Sequence, residues 1–260
     1  MKKVLTIAGS DTSGGAGIQA DLKTFQKAGV YGMTALTVIV SMDPYNEWNH
    51  QVFPVELDII EAQLKTVIEG IGIDAMKTGM LPTVDIIELI ALNIRKHDLK
   101  NIVVDPVMVC KGSGELLNPE VTECSAKTLI PLASVVTPNI FEATQLSGMN
   151  IIETINDMKE AARIIKELGA GAVVVKGGTS IDHKNAVDVV YDGKTFEILE
   201  GEKVITTNTH GAGCAFSAAI AAELAKRVNT HDAIVTAKKT VAEAIKHSFK
   251  LNQFIGPIAM

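Results

Sequence analysis

The sequence predicts an α/β protein built on a doubly wound, mostly parallel sheet with helices on both faces. Short apolar, β-branched runs alternate with helical patterns along the chain, as in sheets whose strands are joined by crossover helices. Apolar residues make up 47% of the sequence and aromatic residues only 4%, so the core must be aliphatic. At 260 residues the chain has the size of one large α/β domain. Residues 1–260 are therefore read as a single unit, without linker, low-complexity tract or internal repeat.

Taken in order, Val4–Ala8, Met33–Val40, Ala75–Lys77, Ile102–Asp105, Val135–Thr137 and Ala172–Lys176 read as buried parallel strands. Between them apolar residues recur at helical spacing, as in Ile18, Leu22 and Phe25 or Ile60, Leu64 and Val67. Right-handed crossovers are the expected connection. The exception is Ala186–Ile205, where Asp192-Gly193 separates two strand-like runs and signals a β-hairpin. Two long helical patterns follow, Ala212–Lys226 and Asp232–Phe249, the first opening directly from a Gly-rich turn.

Charge and cysteine usage narrow the partners. With 24 Lys and Arg against 30 Asp and Glu the net charge is -6, and no basic run forms the footprint of a nucleic-acid binder. No nucleic-acid partner is expected. The apolar stretch after Met1-Lys2-Lys3 is broken too early, at Gly9, to read as a signal peptide, and no run approaches the ~18 residues of a membrane span. No membrane association is expected. Cys110, Cys124 and Cys214 form neither a disulfide framework nor a zinc pattern, which fits a reducing cytoplasm.

Chemistry gathers where strands end. Two Gly-rich turns, Gly9–Gly17 and Thr209–Cys214, each join a strand-like run to a helix, and their free N–H groups suit an anion. Neither is a Walker A loop or a clean dinucleotide fingerprint. Four more segments end strands with polar residues: Lys77–Met80, Asp105–Met108, Thr137–Glu142 and Lys176–Gly178. Any one of these reads as an ordinary loop or cap. Together they lie where an open α/β sheet forms its ligand crevice.

The order Ala8-Gly-Ser-Asp-Thr-Ser-Gly-Gly-Ala-Gly-Ile-Gln-Ala-Asp-Leu-Lys-Thr24, Lys77-Thr-Gly-Met80, Asp105-Pro-Val-Met108, Thr137-Pro-Asn-Ile-Phe-Glu142 and Asn208-Thr-His-Gly-Ala-Gly-Cys214 resembles the hydroxymethylpyrimidine (phosphate) kinases and their pyridoxal-kinase relatives. The resemblance runs from residue 4 to 257. It implies a ribokinase-like fold, ATP and Mg²⁺ as cofactors, transfer of the γ-phosphoryl to the hydroxymethyl group of a heteroaromatic alcohol, and a homodimer. Such transfer is mostly positioning and charge stabilisation. On this resemblance Gly211, Ala212, Gly213 and Cys214 supply an anion hole. Lys176, Asn139 and Glu142 bind ATP and its phosphates, and Asp105 and Glu142 hold Mg²⁺. Gly9, Asp11, Met42, His50, Met80 and Val107 contact the acceptor.

Cys214 stands where the wider ribokinase group usually carries an aspartate base, and the hydroxymethylpyrimidine branch resembles this chain in having cysteine. A helix N-terminus and bound cations are expected to lower the pKa of its thiol, so that a thiolate accepts the hydroxyl proton. Met42 marks a departure: those kinases typically read Thr-Ala-Gln-Asn-Thr here, whereas this chain reads Val40-Ser-Met-Asp-Pro44. A thioether cannot replace the paired hydrogen bonds of an amide. This favours a vitamin B6 vitamer as acceptor, with hydroxymethylpyrimidine or its phosphate as the alternative. Cys110, before Lys111-Gly-Ser-Gly114, is read as a lid thiol able to add reversibly to an aldehyde. Tyr45 and Trp48 are read as covering the pocket edge, and Cys124 as packing. A nicotinamide oxidoreductase and a non-catalytic carrier of pyridoxal phosphate are the rival readings; the first lacks its fingerprint, and the second has no use for an ATP site.

Overall fold

The computed structural model describes residues 1–108 and 119–260. Its first half runs β1 (Lys3–Asp11), α1 (Gly17–Lys27), β2 (Tyr31–Asp43), β3 (Asn49–Pro54), α2 (Leu57–Leu64), β4 (Ala75–Thr78), α3 (Val84–Lys96) and β5 (Ile102–Val104). After α4 (Pro119–Cys124) come β6 (Val135–Val136), α5 (Ile140–Ser147), α6 (Ile155–Glu167), β7 (Ala172–Gly178), β8 (Ala186–Tyr191), β9 (Phe196–Gly201), α7 (Ala212–Ala225) and α8 (Thr230–Lys246).

These strands form one nine-stranded sheet in the order β3-β2-β1-β4-β5-β6-β7-β8-β9. The six from β2 to β7 are parallel, and β3, β8 and β9 are antiparallel additions at the two edges. Alternation of side chains along each strand splits the core in two. Leu5, Ile7, Ile102, Val104, Val173 and Val175 face a layer made by α2, α3, α5 and α6. Val4, Val103 and Val174 face the opposite layer of α1, α7 and α8. The sheet is thus covered on both faces, as the aliphatic composition requires.

Helix α7 is apolar on nearly every side, with Ala215, Ala218, Ala219, Ala221, Ala222 and Ala225 all buried. A helix of that kind belongs in an interior. Its small side chains bring its backbone close to α1, α8 and the middle of the sheet. Its N-terminus opens directly into the region beyond the strand ends.

The sequence elements are found with shifted ends. Asp105 and Thr137 lie just past β5 and β6, and the final helix begins at Thr230, capped by Asn229, whose side chain accepts the N–H of Asp232. β3 escaped sequence reasoning because Asn49-His50-Gln51 offers no alternating apolar pattern. Pairing with β2 and a turn with positive φ at Glu47 and Trp48 create it. Consequently Met42 stands within β2, not in a loop after a strand. No helix among the described residues is long and apolar enough to cross a membrane.

Candidate active site

A cavity of about 510 Å³ opens at the carboxyl ends of the central strands, beside β1, where the strand order turns from β2 on one side to β4 on the other. That is the expected crevice of an open α/β sheet. Every residue given a catalytic, nucleotide, acceptor or metal role from the sequence lines it except Cys110, which lies outside the described residues.

One end is built by the first turn of α7. Gly211 adopts φ 82° as the N-cap, and a Cβ there would lie 1.9 Å from the carbonyl oxygen of Gly15, so only glycine lets the two Gly-rich turns meet. The N–H of Ala212 donates to the Thr209 carbonyl at 3.2 Å. This corrects the expectation of four free amides: Ala212 is engaged in its own turn. Gly213 and Cys214 sit in the first turn, where a helix supplies no internal acceptor for its N–H groups.

The Cys214 thiol accepts a hydrogen bond from the Gly17 N–H, at the start of α1. Burial pushes this thiol up to about 11, against the lowering charge of Lys77. The expectation of a lowered thiol is therefore corrected for the ligand-free protein. Desolvation outweighs both the helix terminus and the charge of Lys77.

Three charges meet next to this turn. Asp105, almost fully buried, accepts from Lys176 Nζ at 3.1 Å, from Thr137 Oγ1 at 3.3 Å and from Ser217 Oγ at 3.1 Å. Asn139 and Glu142 form a capping box at α5, and the Met108 N–H also donates to Glu142. Burial raises the Glu142 carboxyl to about 7, with Lys176 lowering it and Asp105 adding repulsion. Burial disfavours the Lys176 ammonium, but Asp105 and Glu142 outweigh it and hold it above its ordinary range. Two carboxylates that repel each other at the edge of the Gly-rich turn have the donor chemistry to hold a divalent cation.

At the other end Met42 and His50 are cross-strand partners on β2 and β3, and Met80 and Val107 pack with Val38 and Val40 beside them. Burial lowers the His50 pKa, as does the charge of His210, with Asp11 opposing, which keeps the imidazole neutral. Gly9 lies against Val38, 2.6 Å from where its Cβ would stand. Asp11 turns out to organise its own loop: it accepts from the N–H groups of Ser13 and Ala16, each at 2.8 Å, and from His210 Nε2 at 2.6 Å. Burial raises its carboxyl, but the bonds from His210 and Ser13 outweigh this and hold it low.

Sequence reasoning missed a third stretch of wall, formed by the hairpin and α8. Thr179, Glu202, Val204, Val241, Ala242 and Ile245 line it, and Lys238 Nζ lies 2.6 Å from the buried Asp188. The available signal was Asp188, a charge inside an otherwise apolar strand. Lys77 in β4 and His210 in the second Gly-rich turn also line the cavity and were not singled out. Tyr45 and Trp48 do not cover its edge: Tyr45 is 97% exposed and Trp48 stacks on Phe254 with ring centroids 5.8 Å apart. The turn geometry of Asp43–Trp48 carries both away. Cys124 packs against the core, with its Sγ 3.8 Å from Thr128 Oγ1.

The family model described as phosphomethylpyrimidine kinase matches residues 11–259. The chain is 63% identical over 257 residues to the pyridoxine kinase of Bacillus subtilis (strain 168), covering 99% of this chain and 95% of that protein. It is 39% identical to the hydroxymethylpyrimidine/phosphomethylpyrimidine kinase of the same organism, covering 98% and 93%. The pyridoxal kinase from Staphylococcus aureus, solved in complex with AMP-PCP and pyridoxal, superposes with a TM-score of 0.94 at 50% identity, covering 99% of this chain and 93% of that one.

Proposed function

Because the chain belongs to the phosphomethylpyrimidine kinase family, we propose that it transfers the γ-phosphoryl group of ATP to the hydroxymethyl group of a vitamin B6 vitamer: pyridoxal, pyridoxine or pyridoxamine. It is a phosphotransferase with an alcohol as acceptor, on a ribokinase-like fold. The observation that carries the choice of acceptor is the Met42–His50 pair, which gives that end of the cavity a thioether and a neutral imidazole and no amide. The 63% identity to a pyridoxine kinase supports it. The 39% identity to a hydroxymethylpyrimidine kinase makes that compound the competitor to exclude.

In this reading the chain is one domain over residues 1–260, with the acceptor at the β2–β3 end and the nucleotide along the hairpin and α8. The Gly211, Gly213 and Cys214 amides face the charge that develops on the transferred phosphoryl, and Lys176 adds a positive charge beside them. Asn139 positions Glu142 next to the phosphates. Asp105 and Glu142 hold Mg²⁺, which when bound supplies charge neutralisation at the phosphates. Cys214 takes the proton as the acceptor O–H bond breaks; the oxygen bonds to the γ-phosphorus, and ADP departs with the bridging oxygen. Burial raises this thiol, Lys77 opposes the rise, and cations bound with the nucleotide would favour the thiolate further. Cys110 captures the aldehyde of pyridoxal, a role that rests on its place in the sequence.

The three cysteines without a pairing pattern support a cytoplasmic protein. A homodimer is supported by the β3 edge, where Val52 and Phe53 are exposed near Ile39, Leu57 and Ile59. Steady-state kinetics with pyridoxal, pyridoxine and hydroxymethylpyrimidine test the acceptor. A higher kcat/KM for hydroxymethylpyrimidine than for every B6 vitamer overturns the proposal.

A further inference from the structure

The floor of the cavity holds an ion pair for which the phosphoryl transfer described above has no use. Lys77 on β4 and Asp21 on α1 both have fully buried side chains, and the ammonium lies 3.1 Å from each carboxylate oxygen. Asp21 is fixed from a third element, accepting from Thr6 Oγ1 at 2.6 Å. Stability does not account for such a pair, since apolar residues of similar volume commonly serve as well or better. The local backbone is also shaped around the ammonium. A Cβ at Gly79 would lie 3.3 Å from Lys77 Nζ and 2.9 Å from the Ala8 Cβ.

Helix α7 packs on both α1 and β4, the two elements that carry the pair. The Cys214 thiol accepts the Gly17 N–H one turn before Asp21 on α1, and Lys77 and Cys214 line the same cavity. Four charged groups act on this sulfur: Lys77 from β4, Asp21 from α1, Asp105 from beyond β5 and Lys176 from β7. Both acidic groups disfavour a thiolate. Of the two cations, Lys176 is bound to Asp105, whereas Lys77 is the foremost influence opposing burial of the sulfur. Burial disfavours the Lys77 ammonium, but Asp21 outweighs it and keeps the charge in place.

We infer that Lys77, held by Asp21, is a positioning residue for the transfer: its fixed positive charge stabilises the Cys214 thiolate and so readies that group to take the acceptor's proton. The inference rests on Cys214 as the proton acceptor, yet its test needs no turnover. Iodoacetamide labelling of Cys214 in the ligand-free protein, followed by peptide mass mapping from about pH 7 to about pH 10, reads the thiolate directly. Lys77→Met is expected to slow labelling about tenfold near pH 8, which corresponds to an upward move of about one pH unit in the thiol's inflection. A merely structural role predicts the opposite, because a loosened site exposes the sulfur and labels faster.

Lys77→Met strands the Asp21 carboxylate, so Lys77→Met combined with Asp21→Leu provides a second reading in which an apolar pair replaces the ionic one. The double variant is expected to slow labelling in the same direction but by less, because the Asp21 charge that disfavours the thiolate leaves with Lys77, with the fold checked by the thermal shift on adding ADP. Unchanged or faster Cys214 labelling in either variant that still binds ADP overturns the inference. Full kcat in Cys214→Ala would instead remove the base assignment while leaving the labelling result intact, so the two failures are distinguishable.

Discussion

Asn139 and Glu142 each hold the other's backbone: the Asn139 N–H donates to Glu142 Oε2 at 2.8 Å, and the Glu142 N–H donates to Asn139 Oδ1 at 2.9 Å. The box ties the start of α5 to a carboxyl that burial raises to about 7. Its consequence for stability has a definite sign. The folded state keeps the Glu142 proton after the unfolded state, with an ordinary value of 4.5, has lost it. Stability from this group is therefore full below the unfolded value and is lost as pH rises through the folded one. Thermal melts of the ligand-free protein from about pH 5 to about pH 8 are expected to fall more steeply for the wild type than for Glu142→Gln, which keeps the cap but does not titrate. Parallel curves would remove the raised carboxyl.

Cys214→Ala is expected to bind ATP nearly as well as the wild type while kcat falls by about 100-fold or more, as for loss of a positioned base. Cys214→Asp keeps part of the activity, because a carboxylate in the same place accepts a proton. Isothermal titration with the ATP analogue AMP-PCP and single-turnover kinetics separate binding from chemistry. An unchanged kcat in Cys214→Ala argues for packing alone.

Acceptor choice is expected to follow position 42. Met42→Gln returns an amide donor and acceptor to β2 opposite His50. The ratio of kcat/KM for hydroxymethylpyrimidine over pyridoxal should rise by about tenfold, the scale of one well-placed hydrogen bond. A ratio that stays put, or moves toward pyridoxal, places specificity elsewhere.

The covalent role of Cys110 separates two acceptors. Pyridoxal carries an aldehyde that a thiol can capture, and pyridoxine does not. Cys110→Ala is expected to lower pyridoxal turnover by about tenfold or more and pyridoxine turnover much less. Equal losses with both point to closure without a covalent bond.

Reading from sequence succeeded where chemistry and backbone signals coincide. The central strands announce themselves as continuous apolar runs, and Asp105, Asn139, Glu142 and Lys176, read from the strand ends, all line the one cavity. It failed where a residue's partner is far along the chain. Asp11 looks like a ring contact until His210, 199 positions away, is found 2.6 Å from its carboxylate. Lys77 looks like one more strand-end cation until Asp21 is seen to share its burial. Cys214 was read from its helix terminus and expected bound cations, and the desolvation that dominates it belongs to the assembled core. β3 is an edge strand whose polar face lacks the alternation that sequence reading needs.

The alanines of α7 bear on how this protein can change. Because Ala218 and Ala222 are fully buried, the Gly-rich turn that opens α7 has little slack beneath it: a larger side chain at either position must displace the helix. With the acceptor placed as proposed, adaptation to a new one is easiest at the β2–β3 end, where β3 is the edge of the sheet. The α7 end is held by packing even at positions, such as Ala218 and Ala222, that do not line the cavity. Chemistry and specificity thus sit on parts of the fold with different freedom to vary, and a lineage can alter which alcohol it accepts without disturbing how the phosphoryl group is moved.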